Sequence, residues 1–184
     1  MFGDPAFRVS CLQRAEAAAA NHGAAHVISL LDPALAPEQH PRLSPPVRHH
    51  KYLFFDQEAG PHTESLDQAV LSLIKDLSNI LPDQRPVLFH CHAGVSRSPA
   101  ACLIALALHE GVGGETRAFE ALLRITRKPW PNLRMVRVAD HLLGLDGRLV
   151  APVEAYQKAF PERLGAYRRL NRRRGLHSPV ARFA

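Results

Sequence analysis

The sequence predicts an α/β domain in three layers, with helices on both faces of a central, mostly parallel sheet of four to five strands. Three observations carry this. Apolar runs alternate with helical patterns as far as residue 110, after which only helical patterns follow, and such alternation builds a parallel sheet covered on both sides. The apolar run Pro86–Phe89 and the apolar run Pro99–Leu108 flank a short polar stretch, which reads as a buried strand, a tight loop and a buried helix. A chain of 184 residues, 46% hydrophobic and 22% charged, is long enough for one well-buried core and has the composition of an ordinary globular domain.

Taken in order, Phe7-Arg8-Val9 is a weak strand. Ser10-x-x-Gln13 reads as a capping box for a helix through Ala17–Ala20 that stops near Gly23. His26–Leu31 is a strand, and residues 33–46, with five prolines, form a loop. His50–Phe55 is the next strand, ending at Asp56, and Gly60-Pro61 breaks the pattern. Ser65-x-x-Gln68 is a second capping box, and the helix after it lines up Leu66, Val70, Leu73, Ile74, Leu77 and Leu81 on one face. The strand at 86–90 follows, then the loop and a helix beginning at Pro99 and ending at Glu110, with Gly111–Gly114 as its stop. Glu115–Thr126 is amphipathic through Phe119, Leu122, Leu123 and Ile125. Lys128–Asn132 is a turn, Leu133–Gly144 a helix, and Pro152–Phe160 a last helix.

The net charge of +6 is unevenly placed. Residues 158–184 carry eight basic groups against the single acid Glu162, while residues 1–157 sum to −1. The chain therefore divides into a near-neutral domain, 1–160, and a basic tail, 161–184. The tail offers contact with nucleic acid or an acidic membrane, but after residue 160 its only aromatics are Tyr167 and Phe183, and a solvated or helical appendage is the preferred reading. No apolar run approaches the ~20 residues of a bilayer span, and the N-terminus lacks a basic-then-apolar leader. Three cysteines do not suggest a disulfide framework. Cys11 and Cys102 fall on expected helices and read as core residues, with a Cys91–Cys102 disulfide as the alternative.

The stretch His90-Cys91-His92-Ala93-Gly94-Val95-Ser96-Arg97-Ser98 carries the chemistry. Its backbone N–H groups lie at the open end of a helix, where an anion is favoured, and successive loop amides converge into an anion-binding nest. Gly94 lets the backbone turn and approach a ligand. Arg97 adds a planar fork suited to two phosphate oxygens. The same positive field favours a thiolate at Cys91. Residues 92–97 thus form a cradle for a phosphate-like dianion, with a nucleophile beneath it.

Cys-x5-Arg-Ser with His before the Cys resembles the signature of the cysteine-based protein tyrosine phosphatases, most closely the dual-specificity subgroup and its small bacterial relatives. The resemblance covers about Val27 to Leu149. It implies a phosphomonoester hydrolase, acting on phosphoprotein or small phosphomonoesters, in which Cys91 forms a phosphocysteine, Arg97 and the loop amides from His92 to Ser96 bind phosphate, and the Ser98 hydroxyl stabilises the departing thiolate. Ser98 also reads as an N-cap for the helix at Pro99. A general acid must protonate the leaving oxygen. Asp56 is the first candidate, since it ends a strand 35 residues before Cys91 and matches the position of the family's acid; Asp32, after the preceding strand, and Glu58 are the competitors. His90 would tune Cys91 from beneath the loop, and His92 lies at the cleft mouth or is merely exposed. Pro131-Asn132 resembles a pair whose Asn supports the catalytic loop, although Asn132 is also an N-cap.

His92, Ala93, Val95 and Ser96 include no Lys or Arg, which favours a single phosphate over the lipid or RNA polyphosphates that some relatives take. The competing readings are a module that captures phosphate without turnover and a rhodanese-like sulfur transferase. His90-Cys91-His92 can offer at most two ligands to one ion, so no metal and no other cofactor is expected. A catalytic thiol calls for a reducing compartment, and the cytoplasm is the expected location.

Overall fold

Four strands carry the fold: β1 (Phe7–Cys11), β2 (His26–Leu31), β3 (Arg48–Leu53) and β4 (Val87–Cys91). They pair in the order β1-β4-β2-β3, and every pairing is parallel. The structure is a computed structural model that describes residues 6–57 and 64–173. Seven α-helices occur among the described residues: α1 (Ala15–His22), α2 (Glu64–Ile80), α3 (Arg97–Glu110), α4 (Glu115–Ile125), α5 (Leu133–Leu142), α6 (Val150–Ala159) and α7 (Glu162–Arg173).

Alternation along the strands separates two faces. Val87, Phe89 and Cys91 of β4 join Phe7, Ile28, Leu30 and Tyr52 in the main core, where α2, α3, α5 and parts of α4 and α6 cover them. Leu88 and Val27 point the other way and pack on Ala19 and Ala24, at and beyond α1. The sheet with helices on both faces is the three-layer architecture the sequence predicts, at four strands and wholly parallel. β2 is buried along its full length, and α3 is buried from Arg97 to Ala107, so the central strand–loop–helix unit sits in the middle of the molecule. The loop between β4 and α3 therefore opens at the carboxyl ends of the strands, where parallel sheets place their ligands.

Several boundaries differ from the sequence expectations. Neither capping box forms. Ser10 is a ladder residue of β1, paired with His90, and the chain takes a 3-10 turn at Leu12–Arg14 before α1 opens at Ala15. Ser65 is already inside α2, which is under way at Glu64. Cys11 accordingly lies in a strand and not on a helix. β3 starts and ends two residues early: Phe54 still donates to Leu31 O, but its own carbonyl is taken by Arg97. α3 starts at Arg97, two residues before Pro99. In α4, Phe119 and Leu122 are buried while Leu123 is exposed, because Glu115, Ala118, Phe119 and Leu122 share the inward face. Residues 33–46 contain one short 3-10 turn, Pro37–Gln39. The break between α6 and α7 falls at Phe160-Pro161, and α7 returns to the body through Arg163, stacked 3.6 Å from the Phe160 ring centroid, and through Tyr167, whose hydroxyl donates to the Lys128 carbonyl.

Candidate active site

The polypeptide leaves β4 at Cys91 and enters α3 at Arg97. Three of the five residues between them have carbonyls bonded to neighbouring segments. His92 O accepts from Leu12 N at 3.2 Å, Val95 O from Trp130 N at 2.9 Å, and Ser96 O from Asn132 N and Ala100 N, both at 3.2 Å. With these carbonyls held by β1, the Trp130 turn and the first turn of α3, amides are left for the inside of the loop. Gly94 N–H points at Cys91 Sγ, 3.3 Å away. Gly94 has φ +72°, and a Cβ there would lie 2.8 Å from Ser10 O and 2.9 Å from Ser10 C. Backbone on backbone at that distance leaves room for glycine alone.

Cys91 is 1% exposed, and its Sγ lies 3.2 Å from Ser98 Oγ. A sulfur with a backbone N–H on one side and a hydroxyl on the other, at the N-terminus of a fourteen-residue helix, is set in a field that favours negative charge. Ser98 faces the sulfur from the first turn of α3, whose N-cap position is taken by Ser96 without a side-chain capping bond.

Arg97 is 2% exposed. Its NH1 donates to Asp32 Oδ1 at 2.8 Å and to Phe54 O at 2.9 Å. Its guanidinium lies beside the Phe54 ring, 5.8 Å from the centroid. Nε is buried without a hydrogen-bond partner, 3.6 Å from Asp56 Oδ2. The NH1 end of the fork is thus fixed from behind, and the Nε–H remains for another acceptor.

Asp56 follows β3. Its Oδ1 accepts from Ser96 Oγ and from Asn132 Nδ2, both at 2.8 Å. Asn132 Nδ2 also lies 3.3 Å from Gln57 O, while its Oδ1 caps α5 by accepting from Met135 N at 3.0 Å. Asn132 thus caps α5 and also joins the β4–α3 loop to the Asp56 segment, through its own N–H to Ser96 O and its amide to Asp56. Asp32, 6% exposed, faces Arg97, and its backbone N–H donates to His92 Nε2 at 3.2 Å. That bond gives His92 a bare Nε2 and a proton on Nδ1. Burial first, and Arg97 second, push the His92 pKa down; Asp32 and Asp56 oppose them.

His90 is completely buried behind the loop. Burial, reinforced by His49 and His92, pushes its pKa down to about 3, so the ring is neutral. Its Nε2 lies 2.5 Å from Ser29 Oγ, and Ser29 Oγ lies 2.6 Å from His49 Nε2.

The structure therefore gathers Cys91, His92, Gly94, Ser96, Arg97, Ser98, Asp56 and Asn132 around one loop, with Ala93 and Val95 in the loop itself and His90 behind it. Glu58 lies outside the described residues. Cys102 is fully buried in α3, its pKa raised by burial, and all three cysteines are free. Sequence reasoning missed the roles of Phe54 O and Ser29 and treated Asp32 only as a rival acid. Ser29 left one signal, a polar residue inside the otherwise apolar run Val27–Leu31. The carbonyl of Phe54 left none, because any residue supplies one.

No family model matches the sequence, and no curated protein matches it. Solved structures do. Human DUSP28 superposes with TM-score 0.60 at 19% identity, covering 77% of this chain and 93% of that one. The human tyrosine phosphatase-like serine/threonine/tyrosine-interacting protein gives 0.61 at 18%, covering 78% and 94%. PTPMT1 in complex with PI(5)P gives 0.54 at 14%, covering 79% and 95%. The chain has the fold of the dual-specificity phosphatases. Within the dual-specificity phosphatase fold, the loop after the central strand and the first turn of the buried helix are the elements built here by Cys91–Ser98.

Proposed function

We propose that this chain hydrolyses phosphate monoesters, with phosphotyrosine-containing and dual-specificity phosphoprotein substrates as its class, through a phosphocysteine on Cys91. The observation that carries the reading is the buried Cys91 sulfur between Gly94 N–H and Ser98 Oγ, in a loop closed by an Arg97 whose buried Nε has no hydrogen-bond partner. The Cys91 thiolate attacks phosphorus, and the P–O bond to the leaving group breaks. Arg97 Nε–H and the loop amides hold the non-bridging oxygens throughout.

Asp56 is the general acid of this proposal. Its Oδ1 is committed as an acceptor to Ser96 and Asn132, which leaves Oδ2 as the oxygen through which a proton passes to the leaving group. Asp32, by contrast, is tied at 2.8 Å to Arg97 NH1 and serves to orient the guanidinium. In the second step water attacks the phosphocysteine, Asp56 takes the water's proton, and the P–S bond breaks with the Ser98 hydroxyl donating to the departing sulfur. The product is inorganic phosphate, and the thiolate is regenerated. PTPMT1 is described with PI(5)P, but the absence of Lys and Arg at 92, 93, 95 and 96 supports a monophosphorylated group here. The chemistry requires a reduced thiol, hence a reducing compartment such as the cytoplasm.

The test is hydrolysis of an aryl phosphate with reductant and chelator present. The native chain is expected to turn over; Cys91→Ser abolishes turnover. Asp56→Asn lowers kcat by roughly 10²–10⁴ for poor leaving groups, the usual worth of a general acid, and by much less for good ones. A native chain that binds vanadate or phosphopeptide tightly yet does not turn over is instead a phosphate-capturing module.

A further inference from the structure

Behind the catalytic loop, on the face of the sheet opposite the main core, three side chains from three neighbouring strands touch in a line. Ser29 of β2 sits between His49 of β3, 2.6 Å away, and His90 of β4, 2.5 Å away. Both rings approach the hydroxyl through Nε2. Ser29 and His90 are fully buried, and His49 is partly exposed at the far end.

A hydroxyl carries one proton. Placed between two neutral imidazole nitrogens, it donates to one and accepts from the other. The two rings must then hold opposite tautomers: one Nε2 is bare and the other protonated. Both rings are held neutral at physiological pH, His90 with its pKa near 3 and His49 with its pKa near 4, chiefly by burial. The groups that act on His49 are Lys51, His40 and His50, and those that act on His90 are His49, His92 and Arg97. All of them disfavour a positive ring. The other nitrogen of His90, Nδ1, is buried and meets no partner at hydrogen-bond geometry. The backbone of Cys91 is the neighbour that favours a proton on the ring, and a backbone group with that effect is a carbonyl. A proton on Nδ1 is the arrangement this neighbour favours, and it leaves Nε2 bare to accept from Ser29. His49, in turn, carries its proton on Nε2 and donates to Ser29.

We propose that Ser29 and His49 are positioning residues that fix the tautomer and ring orientation of His90, and through it the peptide that carries Cys91 into the loop. The inference rests on the reading of Cys91 as the nucleophile. His90 leads directly into Cys91 at the end of β4, so a ring whose orientation Ser29 fixes also holds the start of the loop in place. Without Ser29, nothing selects between the two tautomers.

The test reads the tautomer directly. Long-range ¹H–¹⁵N spectra of the full-length, histidine-labelled protein at neutral pH, assigned with single His→Gln variants, are expected to show His90 protonated on Nδ1 and His49 on Nε2. A native His90 protonated on Nε2 overturns the proposal, with no variant needed. In Ser29→Ala, His90 is expected to average between tautomers, and carboxymethylation of Cys91 by iodoacetate below neutral pH, blocked by vanadate, slows several-fold. Ser29→Thr, which keeps the hydroxyl, restores both. A folded Ser29→Ala with a native His90 tautomer and native alkylation overturns the inference while leaving Cys91 reactive. A native Cys91 that alkylates no faster than Cys11 overturns the catalytic reading and the inference with it, so the two failures are distinguishable.

Discussion

Each side chain at the candidate site does two jobs, and the second is usually structural. Asn132 caps α5 with its oxygen and braces Asp56 with its nitrogen; Ser96 holds Asp56 while its carbonyl takes two backbone donors. The cysteine, arginine and glycine stood out in the sequence because their types and spacing are those an anion-binding loop would require, and the structure brings all three to one loop. Asp32 was legible as a candidate but not in its role, which depends on which way Arg97 turns once it is buried. Gly94 makes the sharpest single-residue prediction. A methyl group there meets Ser10 O at 2.8 Å and must also accept φ +72°, a conformation that costs a non-glycine residue roughly 1 kcal/mol or more. Gly94→Ala is expected to weaken vanadate inhibition at least tenfold, a ratio worth about 1.4 kcal/mol, with the melting temperature lowered by a few degrees. Unchanged vanadate inhibition would show that the loop tolerates the displacement.

At the scale of elements, the strands and helices were readable wherever a single periodicity governed them. The inward stripe Leu66, Val70, Leu73, Ile74 and Leu77 of α2 is buried as its spacing requires. The failures fall where a tertiary partner overrode a local preference. Ser10 could have capped a helix, but the vacant edge of β4 made it a strand residue. Phe54 could have extended β3, but its carbonyl was needed by a buried guanidinium. Caps and turn anchors supplied across the chain are similarly hidden. The clearest is Asp140, whose two carboxylate oxygens accept from Gly147 N at 2.7 Å and Leu149 N at 2.9 Å, tying the end of α5 to the start of α6. Each such charged bond contributes about 1.5–3 kcal/mol. Asp140→Ala is expected to destabilise the fold by about 3 kcal/mol in chemical denaturation, with Asp140→Asn recovering part of it. A loss within experimental error would mean that this turn does not limit stability.

At the scale of the molecule, the histidines make stability depend on pH. His26, His49 and His90 all have pKa values lowered by burial, to about 4 for His49 and about 3 for His90. In the unfolded chain they titrate near the ordinary 6.5. Between that value and their folded values the unfolded state binds more protons, so stability is complete above about pH 6.5 and falls as the pH drops through this window. Thermal melts are expected to move down steadily from neutral pH toward pH 4. A melting temperature that rises on acidification over this range contradicts the placement of these rings. The described part of the basic C-terminal segment is α7, which carries Arg163, Arg168, Arg169, Arg172 and Arg173. Sequence alone could count those charges, but it could not show that Arg163 and Tyr167 would fasten α7 to Tyr156, Phe160 and the Lys128 carbonyl.

The close fit of Gly94 on Ser10, with Leu12 N–H closing on His92 O, has a consequence for how the molecule breathes. β1 is five residues long and lies at the sheet's edge, paired only to β4. Apart from Phe7, which is buried in the main core, its residues are only partly buried or exposed, so β1 is expected to open at lower cost than the central strands. When it peels away, the wall against which the loop is moulded goes with it, although β4, α3 and the buried helix bundle remain intact. Amide exchange at residues 93–96 should therefore follow the opening of β1 and not global unfolding. On warming, the loop is expected to loosen while the main core is still native.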